Sequence, residues 1–179
     1  MKSLIALLLF GIATMTATAQ ERTIFKEAVV EESVATVWKT WTTKEGLESF
    51  FAPEAIVDPR PDGALGIHFD PYAQKGLKGA DDMRVLAVQE NRLFSFTWNA
   101  PPQFKEVRPQ RTIVAVRMES LGEKRTRVTI SHMGWGTGGE WDQVYAYFDR
   151  AWAGVLGNFQ KRFKEGPIDW KPWLERLKK

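Results

Sequence analysis

An α+β fold, one curved antiparallel sheet around a long C-terminal helix, is predicted by three features of the sequence. Trp141, Tyr145, Phe148, Trp152, Leu156, Phe159 and Phe163 recur at steps of three and four residues. That spacing puts one large apolar side chain on the same helix face at every turn. Five segments between Ala64 and His132 read as strands, and those with clear alternation offer one apolar face each. Such a pattern belongs to an antiparallel sheet covered on one side. Finally, two short helical segments follow the first strand and precede the others. A helix this aromatic needs a large concave apolar partner, and a curved sheet supplies one.

Taken in order, Thr23 to Val30 reads as a strand whose weak alternation leaves its faces unassigned. Ser33 can cap a short helix in which Val34, Val37, Trp38 and Trp41 follow the i, i+3, i+4, i+7 pattern. Thr42-Thr43-Lys44-Glu45 is a capping-box pattern for a second helix carrying Leu47, Phe50 and Phe51, with Pro53 at its end. Pro61-Asp62-Gly63 signals a turn. The strand Ala64 to Asp70 follows, with Leu65, Ile67 and Phe69 on one face and His68 on the other, where it is expected to be outward and inert. A loop leads to a strand over Met83–Val88. Glu90-Asn91 turns the chain into Leu93–Trp98, where Phe94, Phe96 and Trp98 share a face. Asn99 to Pro109 holds three prolines and reads as irregular. Arg111–Glu119 and Arg125–His132 form a hairpin around Gly122, with Val114, Val116, Met118, Val128, Ile130 and His132 inward. The aromatic helix spans Glu140 to Lys164, between the glycines at 136–139 and Gly166-Pro167. Sheet and long helix together describe a helix-grip architecture of about six to seven strands.

The N-terminus carries a different message. Lys2, the apolar run Leu4 to Ile12 and Ala17-Thr18-Ala19 have the order of a secretory signal peptide, with cleavage expected before Gln20. The run is too short to span a membrane. The expected organisation is therefore a signal peptide at 1–19, one domain at 20–166 and a tail at 167–179. The tail contains Pro172 to Leu177, enough for a short docked helix. Once Lys2 is removed, 24 basic residues face 22 acidic ones. So small an excess gives no sign of nucleic-acid binding. The absence of cysteine excludes disulfides and thiolate chemistry. No internal repeat or low-complexity tract is present.

The run Val37-Trp38-Lys39-Thr40-Trp41-Thr42-Thr43-Lys44-Glu45-Gly46-Leu47-Glu48-Ser49-Phe50-Phe51-Ala52-Pro53 resembles the opening signature of the SRPBCC (START/Bet v 1-like) superfamily. The branch it resembles is that of the C-terminal domain of the Hsp90 ATPase activator, AHSA1-like. Phe96-Thr97-Trp98, His132-Met133-Gly134-Trp135-Gly136, Glu140-Trp141 and Tyr147-Phe148-Asp149-Arg150-Ala151-Trp152 fit the later signatures of that branch. The resemblance implies a helix-grip fold with a cavity between sheet and helix, often holding lipids or other hydrophobic molecules. Two features depart from it, the export signal and the tail Ile168–Lys179. Export argues against carrying over a role on a cytosolic chaperone.

Chemistry-bearing residues are few. His132 is expected inward, at the end of a strand beside the loop that opens the long helix, as a hydrogen-bonded rim or core imidazole. Two separated histidines make poor metal ligands, and no metal or cofactor motif is found. Asp81-Asp82 with Arg84 reads as a solvated loop edge. Convergence of Asp81, Arg84 and His132 in a cavity would make acid–base work credible. Glu140 and Asp142 are explained by the helix dipole alone. The expected function is a monomeric exported domain that encloses a hydrophobic or aromatic small molecule or lipid. Trp41, Phe96, Trp98, Met118, Ile130, Tyr145, Phe148 and Trp152 are the expected lining, with His132 as the orienting polar group. The alternatives are a cyclase- or hydrolase-like enzyme using His132 as base, and a co-chaperone-like protein-binding module. Mass analysis of the protein from its native host should find a chain beginning at Gln20; an intact precursor as the main soluble form would overturn export.

Overall fold

The computed structural model describes residues 21–179, so the expected export segment lies outside it. The described elements run β1 (Ile24–Val30), α1 (Val34–Thr42), α2 (Lys44–Glu48), β2 (Glu54–Val57), β3 (Ala64–His68), β4 (Gly79–Gln89), β5 (Leu93–Trp98), β6 (Thr112–Gly122), β7 (Arg125–Met133), α3 (Glu140–Glu165) and α4 (Lys171–Leu177). All seven strands join one sheet in the order β1-β7-β6-β5-β4-β3-β2, with every neighbouring pair antiparallel. The fold is α+β, and a long C-terminal helix lies across the sheet.

Local chemistry explains the element boundaries. The Ser33 hydroxyl accepts from the Thr36 N–H at 3.2 Å and starts α1. Thr43 does the same for α2 by accepting from Gly46 N–H at 3.1 Å. Each cap satisfies a backbone donor that the first helical turn leaves unpaired. Position 46 must be glycine, since a Cβ there would lie 2.5 Å from the Thr40 carbonyl oxygen. The two short helices can therefore pack backbone to backbone.

The expected inward residues of the hairpin are buried. Val114 and His132 pair across β6 and β7, as do Val116 with Ile130 and Met118 with Val128. On α3, Val144, Phe148, Trp152, Leu156 and Phe159 form the buried stripe, while Trp141, Tyr145 and Phe163 pack half-buried at its margin. Phe159 meets Trp41 at 5.6 Å and Phe50 at 5.2 Å between ring centroids, joining α3 to the two short helices. The Trp41 N–H has no oxygen partner, and its indole meets the Phe50 ring edge-on at 4.9 Å. Edge-to-face geometry lets aromatic quadrupoles attract, adding to the stabilisation from burial.

Two sequence expectations change here. The strand β2 has no signal in the sequence, because its four residues are too few to show a period. It nevertheless pairs Glu54 with His68 and Val57 with Leu65, extending the sheet by one edge. The start of β4 also differs, reaching back to Gly79 through a register shift against β3. Asp82 takes a left-handed φ of 57° at that bulge, and the shift puts Asp81 beside His68.

Phe159→Ala should destabilise the domain by about 3–5 kcal/mol, because it leaves a cavity among packed rings. Urea midpoints measured beside the exposed control Lys164→Ala check this; equal midpoints for the two variants would refute the packing role.

A cleft lined by aromatic rings

At one end of the sheet, β5, the turn after α2 and α3 bring Trp98, Phe51 and Trp152 together. Their centroids are 5.6–5.8 Å apart, with Phe51 stacked on Trp98 at an interplanar angle of 19°. Phe148 joins them through Trp152 at 6.4 Å. These rings floor an open cleft of about 360 Å³. Its rims are the β3–β4 loop, carrying Phe69, Leu77 and Lys78, and the β5–β6 loop, carrying Asn99, Pro101, Pro102 and Gln103. Tyr147, Ala151 and Val155 of α3 and Trp173 of α4 complete the walls. The lining is mostly apolar, with Asp70, Lys78, Asn99 and Gln103 as its polar side chains. A few polar groups in an apolar concavity is the usual build of a small-molecule site.

Behind the floor lies His132, completely buried. The Trp152 indole donates to its Nδ1 at 2.9 Å. An indole N–H can only donate, so Nδ1 is the acceptor and the neutral ring carries its proton on Nε2. Nε2 then donates to the Thr112 hydroxyl at 2.7 Å, and Thr112 donates onward to the Trp98 carbonyl oxygen at 3.3 Å. The chain of donors links two of the cleft's floor tryptophans through β6 and β7. Trp135 adds a hydrogen bond from its indole to the His132 carbonyl oxygen at 2.8 Å. Burial disfavours the imidazolium and lowers the His132 pKa from its ordinary 6.5 to about 3. Protonation would also turn the accepting nitrogen into a second donor facing Trp152.

Arginine chemistry fixes the rims. Arg108 donates to the carbonyl oxygens of Ala100, Gly76 and Gly79 and, at 3.1 Å, to Asp81 Oδ2. The β5–β6 loop is thereby fastened to the β3–β4 loop. Burial lowers the Arg108 pKa, and the neighbouring Asp81 carboxylate opposes that change. Asp81 in turn accepts from the N–H groups of Gly76 and Gly79. His68 lies 4.0 Å from Asp81 and, through Nδ1, 2.6 Å from Glu54 Oε1. This contact with His68 is the main influence that lowers the Glu54 pKa.

Of the residues expected to line a cavity, Trp98, Phe148 and Trp152 line this cleft. Trp41, Phe96, Met118, Ile130 and His132 are enclosed in the core instead, because neighbouring rings fill the space between sheet and helix. Tyr145 points to the N-terminal segment, donating to the Thr23 carbonyl oxygen at 3.3 Å. His132 does not line the cleft itself and reaches it through Trp152, Trp98 and Phe148, whose ring centroid lies 5.1 Å from its own. The inert, outward His68 is also corrected, since it is buried and engaged by two carboxylates. Asp81 is no solvated loop edge either, although Asp82 and Arg84 are exposed as expected. Asp81, Arg84 and His132 do not converge. Arg84 reaches the Asp62 carbonyl oxygen, whereas Asp81 and His132 have separate partners. Phe51, Phe69, Leu77 and Trp173 also wall the cleft, and the sequence pattern alone does not mark them as lining. Among the described residues, no three His, Asp or Glu side chains are placed to hold a metal ion, and no helix is long and apolar enough to cross a membrane.

Comparison with known proteins agrees with this architecture. The family described as "Activator of Hsp90 ATPase homolog 1-like protein" matches residues 31–164, most of the chain. The chain belongs to that family. Its SRPBCC-type fold is shared with solved structures of low sequence identity. A protein from Mesorhizobium loti is 18% identical, with 82% of this chain and 100% of that one covered and a TM-score of 0.65. The Aha1 dimer from Colwellia psychrerythraea is 16% identical over 81% and 98% of the two chains, with a TM-score of 0.61. CalU16 from Micromonospora echinospora is 19% identical over 90% and 84%, with a TM-score of 0.54. No curated protein matches the chain.

The buried imidazole has a measurable signature. The unfolded chain takes up a proton at this histidine below about pH 6.5, whereas the folded chain takes none until about pH 3. Its contribution is therefore complete above pH 6.5 and is lost as pH falls toward 3, at about 1.4 kcal/mol per unit. Urea unfolding between pH 7 and 4 should give a shallower loss of stability for His132→Gln than for the parent protein. Parallel curves would mean that His132 is not buried as the neutral ring.

Proposed function

We propose that this is an exported single-domain protein that binds a hydrophobic or aromatic small molecule in the cleft beside α3. The observation that carries the reading is the aromatic cleft of about 360 Å³, open to solvent between two loops fastened by Arg108. A cavity of that size is at the lower end of small-molecule sites and suits a ligand of one to three rings. The floor of Phe51, Trp98 and Trp152 supplies stacking surface, and Lys78, Asn99 and Gln103 supply orienting polar groups at the rim.

An enzyme using His132 as base is disfavoured by geometry. A general base must reach the proton it removes. The His132 acceptor nitrogen is occupied by Trp152, and the ring has no exposed surface. Its role in the proposal is to position the tryptophans that the ligand touches. Export rests on the N-terminal sequence pattern alone.

Mass spectrometry of small molecules extracted from natively purified protein is the direct route to the ligand's identity. The cleft itself is tested by Ala151→Trp, which adds a ring to its wall. Fluorescence titration with 1-anilinonaphthalene-8-sulfonate should show at least about a tenfold loss of affinity, equivalent to 1.4 kcal/mol. The melting temperature should stay near that of the parent. Unchanged probe affinity in this variant would remove the cleft as the binding site.

A further inference from the structure

The family match ends at residue 164, yet a wall of the cleft comes from beyond it. None of the seven residues of α4 is buried, and the helix begins without a side-chain cap. It is held in two places. At its root, Ile168 N–H donates to the Ser49 carbonyl oxygen at 2.9 Å, and the Trp170 indole donates to the Glu48 carbonyl oxygen at 2.6 Å. Both acceptors lie at the end of α2. In its first turn, the Trp173 indole donates to the Phe69 carbonyl oxygen at 2.7 Å, and at its tip the Lys178 ammonium lies 5.1 Å above the Tyr72 ring. Both partners belong to the stretch that follows β3 and forms one rim of the cleft.

Trp173 lines the cleft while 38% of its surface faces solvent. A helix of seven residues has little stability of its own. Segments with few buried contacts and exposed hydrogen bonds open at the lowest free-energy cost. The other walls are a sheet, a 26-residue helix and two loops fastened together by Arg108. The wall that can move most easily is α4. Releasing the Trp173 indole hydrogen bond and the Lys178 cation–π contact frees the helix from its first turn onward, while both root hydrogen bonds stay in place.

We infer that α4 is a hinged flap over the cleft, pivoting at residues 168–170, with Trp173 closing against the bound molecule. The inference rests on the proposed reading of the cleft as the ligand site. Shut, the flap holds the molecule against the aromatic floor; lifted, it opens a path for exchange. Trp173 thereby sets residence time, as gating segments do when their opening limits release.

The chain has no cysteine, so a pair can be introduced cleanly. In Tyr72→Cys/Lys178→Cys, a cleavable bis-maleimide bridges the tip of the flap to the rim. Stopped-flow fluorescence with 1-anilinonaphthalene-8-sulfonate should show association and dissociation slowed by about tenfold or more in the bridged protein. Cleaving the linker should restore both rates. Trp173→Ala, which removes a partly exposed ring, should speed dissociation several-fold with little change in melting temperature. Bridged protein that exchanges probe as fast as unbridged, or Trp173→Ala with unaltered dissociation, overturns the flap and leaves the cleft reading standing. A parent protein that takes up no probe overturns both.

Discussion

The hydrogen bond from Trp152 to His132 fastens the centre of α3 to the sheet, and much of the molecule is arranged around it. Both partners are buried, so neither can turn to water without leaving the other unsatisfied. An unpaired polar group in such a place costs about 1–3 kcal/mol, more than a typical hydrogen bond contributes when made. The bond therefore fixes how α3 is rotated on the sheet more firmly than apolar packing would. Rings alone could slide over one another. Once α3 is set, Phe148 and Trp152 face Trp98 and Phe51, and the cleft floor follows.

The core and the cleft divide the aromatic residues between them. Near α1 and α2, Trp41, Phe50 and Phe159 interlock and leave no room for a guest. At the other end of α3 the sheet is continued by loops rather than by strands. Loops of different length cannot close on a helix as a pleated sheet does, and the gap they leave is the cleft. The polar side chains at its rim come from these loops, while its floor comes from β5, α3 and the turn after α2.

The fold was legible wherever a periodic pattern ran for several residues. The α3 stripe and the alternation of β6 and β7 carried the architecture, and Ser33 and Thr43 marked the helix starts through their caps. The site was less legible because parity says which face a residue takes, not what covers that face. His68 alternates away from Leu65 and Ile67, yet Glu54 from an unforeseen short strand and Asp81 from a bulge enclose it. Trp41 and Phe96 lie on the inward faces expected of them, in a part of the interior that is filled. Which portion of an apolar face stays open depends on loop paths, and prolines in Asn99–Pro109 announce irregularity without giving its course. Arg108, within that loop, had no periodic context to mark it.

Arg108 also decides how the two rims behave. Its guanidinium spans carbonyl oxygens on both, so the loops are coupled through a single planar group rather than through many small contacts. A planar fork with several fixed donors can hold such a junction; a lysine, with one ammonium on a flexible stem, cannot reproduce its geometry. The distance between the rims is then governed by the reach of one side chain. The two loops become a single mechanical part, and an insertion in either would be transmitted to its neighbour before it reached the sheet.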